Sequence, residues 1–388
     1  MTARAGRSEI LTLAAIAVLG SLATQMIVPA LPALAHEFST TAVASQRVIG
    51  VYLAGLATGQ LFAGPMADRF GRRPVMVGGL CLFVLGSIGA ALAPSLGLLL
   101  ASRLLQALGG AGGIITARVM VGDLFPAEEV AERQATMMSL VLLSPAVAPV
   151  IGGALTEWLG WRPIFALLAV SGLLAGLVVR LRITESRRKA EPQARNMAHA
   201  WGLLITTPRF TCHAAAMALA SSSLYAFLAA TPFLLAREYG IGPRDTGLFL
   251  LIVAFAGIVG TKFVGRINRE GRGSIRGAAI VCSGGALLLA SAVLRIHHLA
   301  AFIAPMAIMG FGTGVLGPST ISQIMQSRKG LEGTATSLAG ALQMGGSAIA
   351  SSLIGAADST RLGLVLTVMT LLALVAAIAG RNAGPAAP

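Results

Sequence analysis

The chain has 388 residues, of which 55% are hydrophobic and only 11% are charged, and its mean hydropathy is +0.80. Soluble domains carry about 25% charged residues, so these values exclude a water-soluble protein. The net charge of +14 is carried by basic residues that lie between long apolar runs, which indicates loops at a membrane surface and no nucleic-acid partner.

Twelve apolar runs follow one another along the chain, each near the ~20 residues that a membrane-spanning helix needs. They show no period-2 alternation, so they predict helices in a lipid bilayer and not the strands of a barrel. The sequence therefore predicts an all-α membrane protein with spans at 9–35, 42–64, 75–94, 97–122, 134–158, 163–184, 208–236, 245–265, 275–294, 299–325, 332–356 and 361–380.

One segment of low hydrophobicity divides these spans into two groups of six. We therefore predict two pseudo-symmetric six-helix bundles and a basic cytoplasmic linker between them, at residues 1–184, 208–388 and 185–207 respectively. Most of the 29 Lys and Arg residues fall in the connectors on one side. Because cytoplasmic loops are enriched in Lys and Arg, both termini are predicted to be cytoplasmic, in a bacterial inner membrane.

The connector between the second and third spans reads Gly64-Pro-Met-Ala-Asp-Arg-Phe-Gly-Arg-Arg-Pro74. It resembles the loop 2–3 signature of the major facilitator superfamily, whose fold has twelve helices in two bundles. A degenerate copy follows the eighth span, from Gly265, with Asn268 in place of the acid. The resemblance implies a cytoplasmic latch between the two halves, formed by Gly64, Asp68, Arg69, Gly71, Arg72 and Arg73 with Asp123, Glu128 and Glu129 as partners. The alternative is a positively charged anchor with one incidental acid.

The fourth span contains Arg103 and Gln106, followed by a run of glycines. This stretch resembles the R-x-x-Q-G motif of the family. A charged residue inside a span should face a cavity or a partner, so we expect a cavity-side role; the alternative is that Arg103 extends to the outer interface. Arg118 lies fifteen residues further along, ~22 Å at 1.5 Å per residue, and is expected near the inner face.

The fifth span carries Pro145-Ala-Val-Ala-Pro-Val-Ile-Gly-Gly153, which resembles the family's antiporter motif at Pro149, Gly152 and Gly153. Proline bends a helix, and the glycines would allow the eighth span to pack backbone to backbone. The resemblance implies an exchanger, while the alternative is an ordinary bent span.

The first span ends with Gln25-Met-Ile-Val-Pro-Ala-Leu-Pro32, which is similar to the D-x-x-x-P-x-x-P pattern of the bicyclomycin- and chloramphenicol-resistance type of drug antiporter. The chain departs from that pattern at Gln25, where the pattern has an acid. None of the fifteen Asp and Glu residues falls near the middle of a predicted span. If protons are the coupling ion, Asp123 at the inner end of the fourth span is the candidate carrier.

Aromatic, hydroxyl, amide and thioether side chains in the spans are candidates for a cavity wall, although helix packing explains any one of them alone better. They are Met26, Tyr52, Ser221 to Ser223, Tyr225, Phe227, Phe255, Phe311 and Gln343. Sites for small molecules are mainly apolar with a few placed polar groups. Because Arg is expected in the cavity and no acid is, the substrate is predicted to be neutral or anionic and largely apolar.

These features predict a monomeric secondary active exporter of drugs or other small molecules, which works by alternating access and proton antiport. No phosphate-binding G-x-x-x-x-G-K-[ST] motif, metal-ligand cluster or nucleophile–base pair occurs, so neither an enzyme nor a cofactor is expected. Two alternatives remain open: a transporter of a metabolite such as a sugar or organic acid, and a membrane sensor or scaffold that transports nothing.

Overall fold

A computed structural model describes residues 7–186, 197–268, 271–296, 298–328, 331–354 and 358–383. In this part of the chain all regular structure is helical. The first half contains α1 (Arg7–Gln25), a 3-10 turn (Val28–Ala30), α2 (Leu31–Glu37), α3 (Ala42–Phe70), α4 (Arg72–Ala91), α5 (Leu96–Leu124), α6 (Ala127–Leu159) and α7 (Arg162–Arg182). A short helix, α8 (Met197–Ile205), precedes α9 (Pro208–Tyr239), α10 (Pro243–Ile267), α11 (Gly273–Val293), α12 (Leu299–Met325), α13 (Glu332–Leu353) and α14 (Ser359–Asn382).

Ten segments of the described chain are long and apolar enough to cross a membrane, counting α1, the turn and α2 as one. Two further helices, α6 with 33 residues and α13 with 22, are also long enough to cross. Both pack against other membrane-spanning helices. Helix α6 contacts α1 and α10, whereas α13 contacts α3 and α9. The predicted all-α membrane architecture is therefore confirmed, and the protein is a multi-pass membrane protein.

Because the number of spans is even, the start of α1, the α3–α4 junction and the end of α14 lie on one side, called here the terminal face. The opposite side, where α6 ends and α10 begins, is called the far face. The first half comprises α1 to α7 and the second half α9 to α14. The halves meet along two helix pairs, α3 with α13 and α6 with α10.

The first predicted span is not one continuous helix. Its regular part stops at Gln25, and the 3-10 turn and the start of α2 follow with Pro29 and Pro32 near their beginnings. Proline lacks the N–H that a continuing helix needs, so the two prolines account for the break. Irregular backbone within a membrane is tolerated only inside protein or beside a cavity, and the turn residues are indeed buried.

The weak repeat detected in the sequence has a structural counterpart. Gly71 and Gly271 both adopt a positive φ, +103° and +66°, which only glycine accommodates readily. Asn268 accepts a hydrogen bond from the backbone N–H of Gly273 at 2.9 Å. This amide therefore satisfies the start of α11, so the degenerate copy still forms a turn between two spans.

Candidate functional site

A cavity of about 270 Å³ lies between the two halves. Most of its wall comes from α9, α10, α12 and α13 of the second half, whereas the first half contributes Gln25 at the end of α1 and two residues of α6, Pro145 and Pro149. The helix break after Gln25 and the prolines of α6 thus face the same space. The cavity lies at the interface of the halves, where relative movement would change its access.

The cavity wall is apolar apart from a few neutral hydrogen-bonding groups. Within the described chain no Asp, Glu, Lys, Arg or His lines it. The amide of Gln343 donates to the hydroxyl of Ser221 at 2.6 Å, and the other polar members are Gln25, Tyr225, Thr261 and Thr313. Such a wall suits a small uncharged molecule with a mainly apolar body.

The far face is closed by direct contacts between the halves. The amide of Gln46, at the start of α3, donates to the carbonyl of Ala229 on α9 at 3.0 Å. The carboxylate of Glu157, at the end of α6, accepts from the backbone N–H of Arg244 in the first turn of α10 at 3.3 Å. The Arg244 guanidinium also lies 6.0 Å from the centre of the Trp158 ring. These contacts hold the two halves together on the far side of the cavity.

The antiporter-like stretch of α6 packs as predicted against the eighth span, which is α10. A Cβ on Gly153 would lie 3.1 Å from the Cα of Arg244, and one on Gly247 would lie 2.9 Å from the carbonyl carbon of Pro149. Gly152 faces its own half instead, where a Cβ would lie 2.9 Å from the Cα of Met26. These glycines therefore hold α6 against both α10 and the broken first span.

Arg103 neither lines the cavity nor extends to the outer membrane–water interface, so both sequence-based expectations for it are corrected. Its side chain is fully buried within the first half. It donates to the carbonyl of Ala23 at 3.1 Å, to that of Val48 at 3.3 Å and to the amide oxygen of Gln106 at 2.6 Å. Its guanidinium stacks on the ring of Tyr52 at 3.9 Å. Arg103 thus ties α1, α3 and α5 together.

Several other predicted cavity residues also lie elsewhere. Met26, Tyr52 and Phe227 are buried in the packing of their own halves. Phe255 is 63% exposed on the outer surface, and Phe311 packs against another ring, that of Phe263. The reason is the same in each case: an apolar helix offers several faces that suit an aromatic ring, and only one of them borders the cavity.

The remaining predicted residues of α5 do not border the cavity either. The amide of Gln106 donates to the hydroxyl of Ser87 at 2.8 Å, joining α5 to α4. The backbone carbonyl of Arg118 accepts from the amide of Gln134 on α6 at 2.7 Å. Both positions therefore contribute to packing of the first half in this structure.

The α3–α4 connector forms a charged cluster at the terminal face. Arg72 pairs with Asp68, and its Nε lies 3.1 Å from the Asp123 carboxylate. Glu185, just after α7, accepts from the backbone N–H groups of Arg72 at 2.9 Å and Arg73 at 3.1 Å. A carboxylate at a helix start satisfies free N–H groups and the positive end of the helix dipole, so Glu185 stabilises the beginning of α4.

Only part of the predicted latch set comes together here. Glu129 pairs with Arg133 and not with the connector, and the side chain of Glu128 lies outside the described residues. A Cβ built on Gly64 would meet no atom of another described helix within 4 Å, so the expected close helix approach is not seen among the described residues. The contacts of Arg72 and Asp68 are all within the first half.

Sequence reasoning missed Glu185 and the far-face contacts. Glu185 lies 113 residues from Arg72 along the chain, and its only signal was its place directly after the sixth apolar run. Glu157 lies at the outer end of the fifth predicted span, 134–158. Its partner on α10 is a backbone N–H, a group that every non-proline residue carries and that no sequence pattern marks.

Comparison with known proteins agrees with this architecture. Residues 13–351 match the family model described as Major Facilitator Superfamily. Multidrug resistance protein D of Escherichia coli strain K12 is 29% identical over 94% of this chain and 93% of its own length. The chloramphenicol resistance protein of Pseudomonas aeruginosa is 30% identical over 79% of this chain and 73% of its own length.

Solved structures with the same fold share little sequence. A bacterial homolog of the human lysosomal transporter Spinster, crystallised in an inward-facing and unoccupied conformation, superposes with a TM-score of 0.79 at 16% identity, covering 97% of each chain. A D-xylose–proton symporter gives a TM-score of 0.77 at 15% identity, also covering 97% of each chain. Together with the family match across most of its length, these findings show that the chain belongs to the major facilitator superfamily and is a transporter and not an enzyme.

Proposed function

We propose that this protein exports small, largely apolar molecules by alternating access, as a monomer, in a bacterial inner membrane. The observation that carries the proposal is the cavity between the halves. Its described wall is uncharged and mainly apolar, and the halves are in contact at the far face. Similar proteins named for multidrug and chloramphenicol resistance support drugs as substrates. With Lys and Arg concentrated on the terminal face, that face is assigned to the cytoplasm together with both termini.

In this proposal the two faces close in turn. The far face is held by α6 against α10 and by α3 against α13. The connector cluster around Arg72 and Asp68 is proposed to latch the halves at the terminal face when the far face opens. In the present state the side chain of Asp68 is 70% exposed, so it is available for such a contact.

The proposal is tested with purified protein in liposomes, with chloramphenicol or another labelled drug added to the outside. In vesicles where the far face of the protein points into the lumen, we expect a lumen more acidic than the outside to drive drug uptake. A protonophore should abolish this uptake. In an efflux-deficient host, expression should raise resistance to the transported drug in a protonophore-sensitive way. If no drug in a broad panel moves in either assay, the exporter reading is wrong, and a metabolite panel becomes the next test.

Proton coupling is proposed to involve Asp123, because no acid among the described residues lines the cavity. Its carboxylate contacts Arg72 at 3.1 Å and the hydroxyl of Ser186 at 3.2 Å. A change in the charge of Asp123 would therefore alter its electrostatic interaction with Arg72 in the α3–α4 connector. We expect Asp123→Asn to reduce pH-gradient-driven transport at least about fivefold, at the low end of typical coupling free energies, while drug exchange without a gradient continues.

The matched control for this variant is Asp245→Asn, which changes an exposed acid in the first turn of α10. It should leave both gradient-driven transport and exchange at the wild-type level. Unchanged coupling in Asp123→Asn would exclude Asp123 as the carrier.

A further inference from the structure

The first half places a single polar side chain in the cavity within the described chain, that of Gln25. This residue is only 6% exposed, yet its carboxamide makes no hydrogen bond to any residue that the structure describes. Its carboxamide opens onto the cavity and is not among the fully buried side-chain groups that lack a partner. The partner of this amide is therefore whatever occupies the cavity, and a ligand with a matching polar group can replace water there.

The second half offers complementary groups on the other wall. Gln343 uses one N–H on Ser221 at 2.6 Å, which leaves its amide oxygen and its second N–H available. Tyr225 lines the same cavity, and its hydroxyl has no hydrogen bond within the described residues. The two walls thus present both donors and acceptors, none of them charged.

The absence of charge on the described wall restricts the ligand. An ion that enters an apolar cavity loses its hydration and gains no counter-ion, which is strongly unfavourable. The guanidinium of Arg103 does not compensate an anion here, because it is buried in the first half on backbone carbonyls and does not reach the wall. A neutral ligand avoids this cost and can satisfy the amide of Gln25.

We infer that the cavity selects neutral molecules with an apolar body and an amide or hydroxyl group, and that Gln25 and Gln343 bind this group from opposite halves. The inference rests on the proposed function, since it names the substrate class of the same cavity. A ligand that contacts both halves interacts differently with each orientation of them, and such differential contact is what lets a ligand shift a conformational equilibrium.

The test measures binding to purified protein in detergent by equilibrium dialysis. The neutral probe is chloramphenicol, which carries an amide and hydroxyl groups, and the charged probe is tetraphenylphosphonium, a permanent cation. Wild type should bind chloramphenicol more tightly than the cation. Gln25→Leu should weaken chloramphenicol binding about 3–10-fold, as expected for one lost hydrogen bond, and Gln343→Leu should do the same. Gln326→Leu, which changes an exposed amide at the end of α12, should have no effect.

A second variant should reverse the preference for the neutral probe over the cation, and its main readout is a gain of binding. Gln25→Glu places a carboxylate in the cavity, so tetraphenylphosphonium binding should rise at least about tenfold while chloramphenicol binding falls. Tighter binding of the cation than of chloramphenicol by wild type would overturn the inference. So would undetectable chloramphenicol binding, or wild-type binding in Gln25→Leu.

Drug flux in liposomes separates the inference from the function on which it rests. If wild type exports drugs but Gln25→Leu and Gln25→Glu leave selectivity unchanged, the inference fails and the exporter stands. If the probes bind as expected but no compound crosses the membrane, the exporter fails and the chemistry of the cavity stands.

Discussion

Replacing Gly153 with leucine should open the far face. A Cβ at this position would lie 3.1 Å from the backbone Cα of Arg244 and would also meet the carbonyl of Pro243. These are backbone atoms, so they cannot rotate away, and α6 and α10 must separate. Forced contacts of this kind cost about 1–3 kcal/mol, which corresponds to a 5–150-fold shift in a two-state equilibrium.

The shift can be measured as a distance between the halves. Spin labels at Leu159 and Arg237 would report it, because both side chains are exposed, by 67% and 57% respectively, and they belong to different halves at the far face. The labels require a background without Cys81, Cys212 and Cys282. In Gly153→Leu the distance distribution should move to longer values, and transport should fall because the far face no longer closes.

Gly176→Leu is the matched control, since no atom lies within 4 Å of a Cβ built on Gly176 in α7. It adds the same side chain to a helix of the first half and should leave the distance unchanged. Both variants should elute as monodisperse protein in size-exclusion chromatography, because Gly153 lies between the halves and not within one. Identical distance distributions in the two variants would show that this contact does not hold the far face closed.

The helical spans could be predicted from the sequence because the membrane itself imposes them. Hydrocarbon thickness sets the length of each apolar run, and the need to satisfy every backbone group leaves helices as the outcome. The break at Pro29 and Pro32 is also visible in the sequence. The sequence could not show that Gln25, at this break, lines the cavity.

The cavity wall was harder to predict, because it depends on how each helix is rotated about its axis. Tyr225 and Gln343 do line the cavity, whereas Tyr52 and Phe227 are buried in their own halves. All four are aromatic or polar residues in apolar helices. Their hydrophobic surroundings are alike on every side, so no amphipathic pattern indicates which face meets the other half.

Replacing Arg103 should damage the first half itself. Arg103 donates to the carbonyl of Ala23, which lies in the last turn of α1 and is one of the groups that a helix end leaves without a partner. Its second backbone contact, to Val48 at 3.3 Å, joins α3 to the same guanidinium. Arg103→Ala removes these bonds, the stacking on Tyr52 and a large buried volume at once.

The expected loss is large. The carbonyl of Ala23 and the amide oxygen of Gln106 lose their donor, at about 1–3 kcal/mol for each buried acceptor. Arg103→Ala should therefore lower the melting temperature of the purified protein by roughly 5–15 °C, or prevent its accumulation in the membrane. Arg361→Ala, which removes an exposed arginine in the first turn of α14, should have little effect. Thermal scanning of both variants in the same detergent measures the difference.

Arg103→Lys separates the geometry of the side chain from its charge. Lysine keeps the positive charge but has a single compact head group, which cannot donate in three directions from a rigid plane or stack flat on a ring. We therefore expect Arg103→Lys to fold but to hold the end of α1 loosely, with a melting temperature between those of wild type and Arg103→Ala. Because Gln25 lies two residues beyond Ala23, chloramphenicol binding should weaken in the same variant. A lysine variant with wild-type stability and binding would show that charge alone matters at this position, and that the forked contacts of Arg103 do not position Gln25.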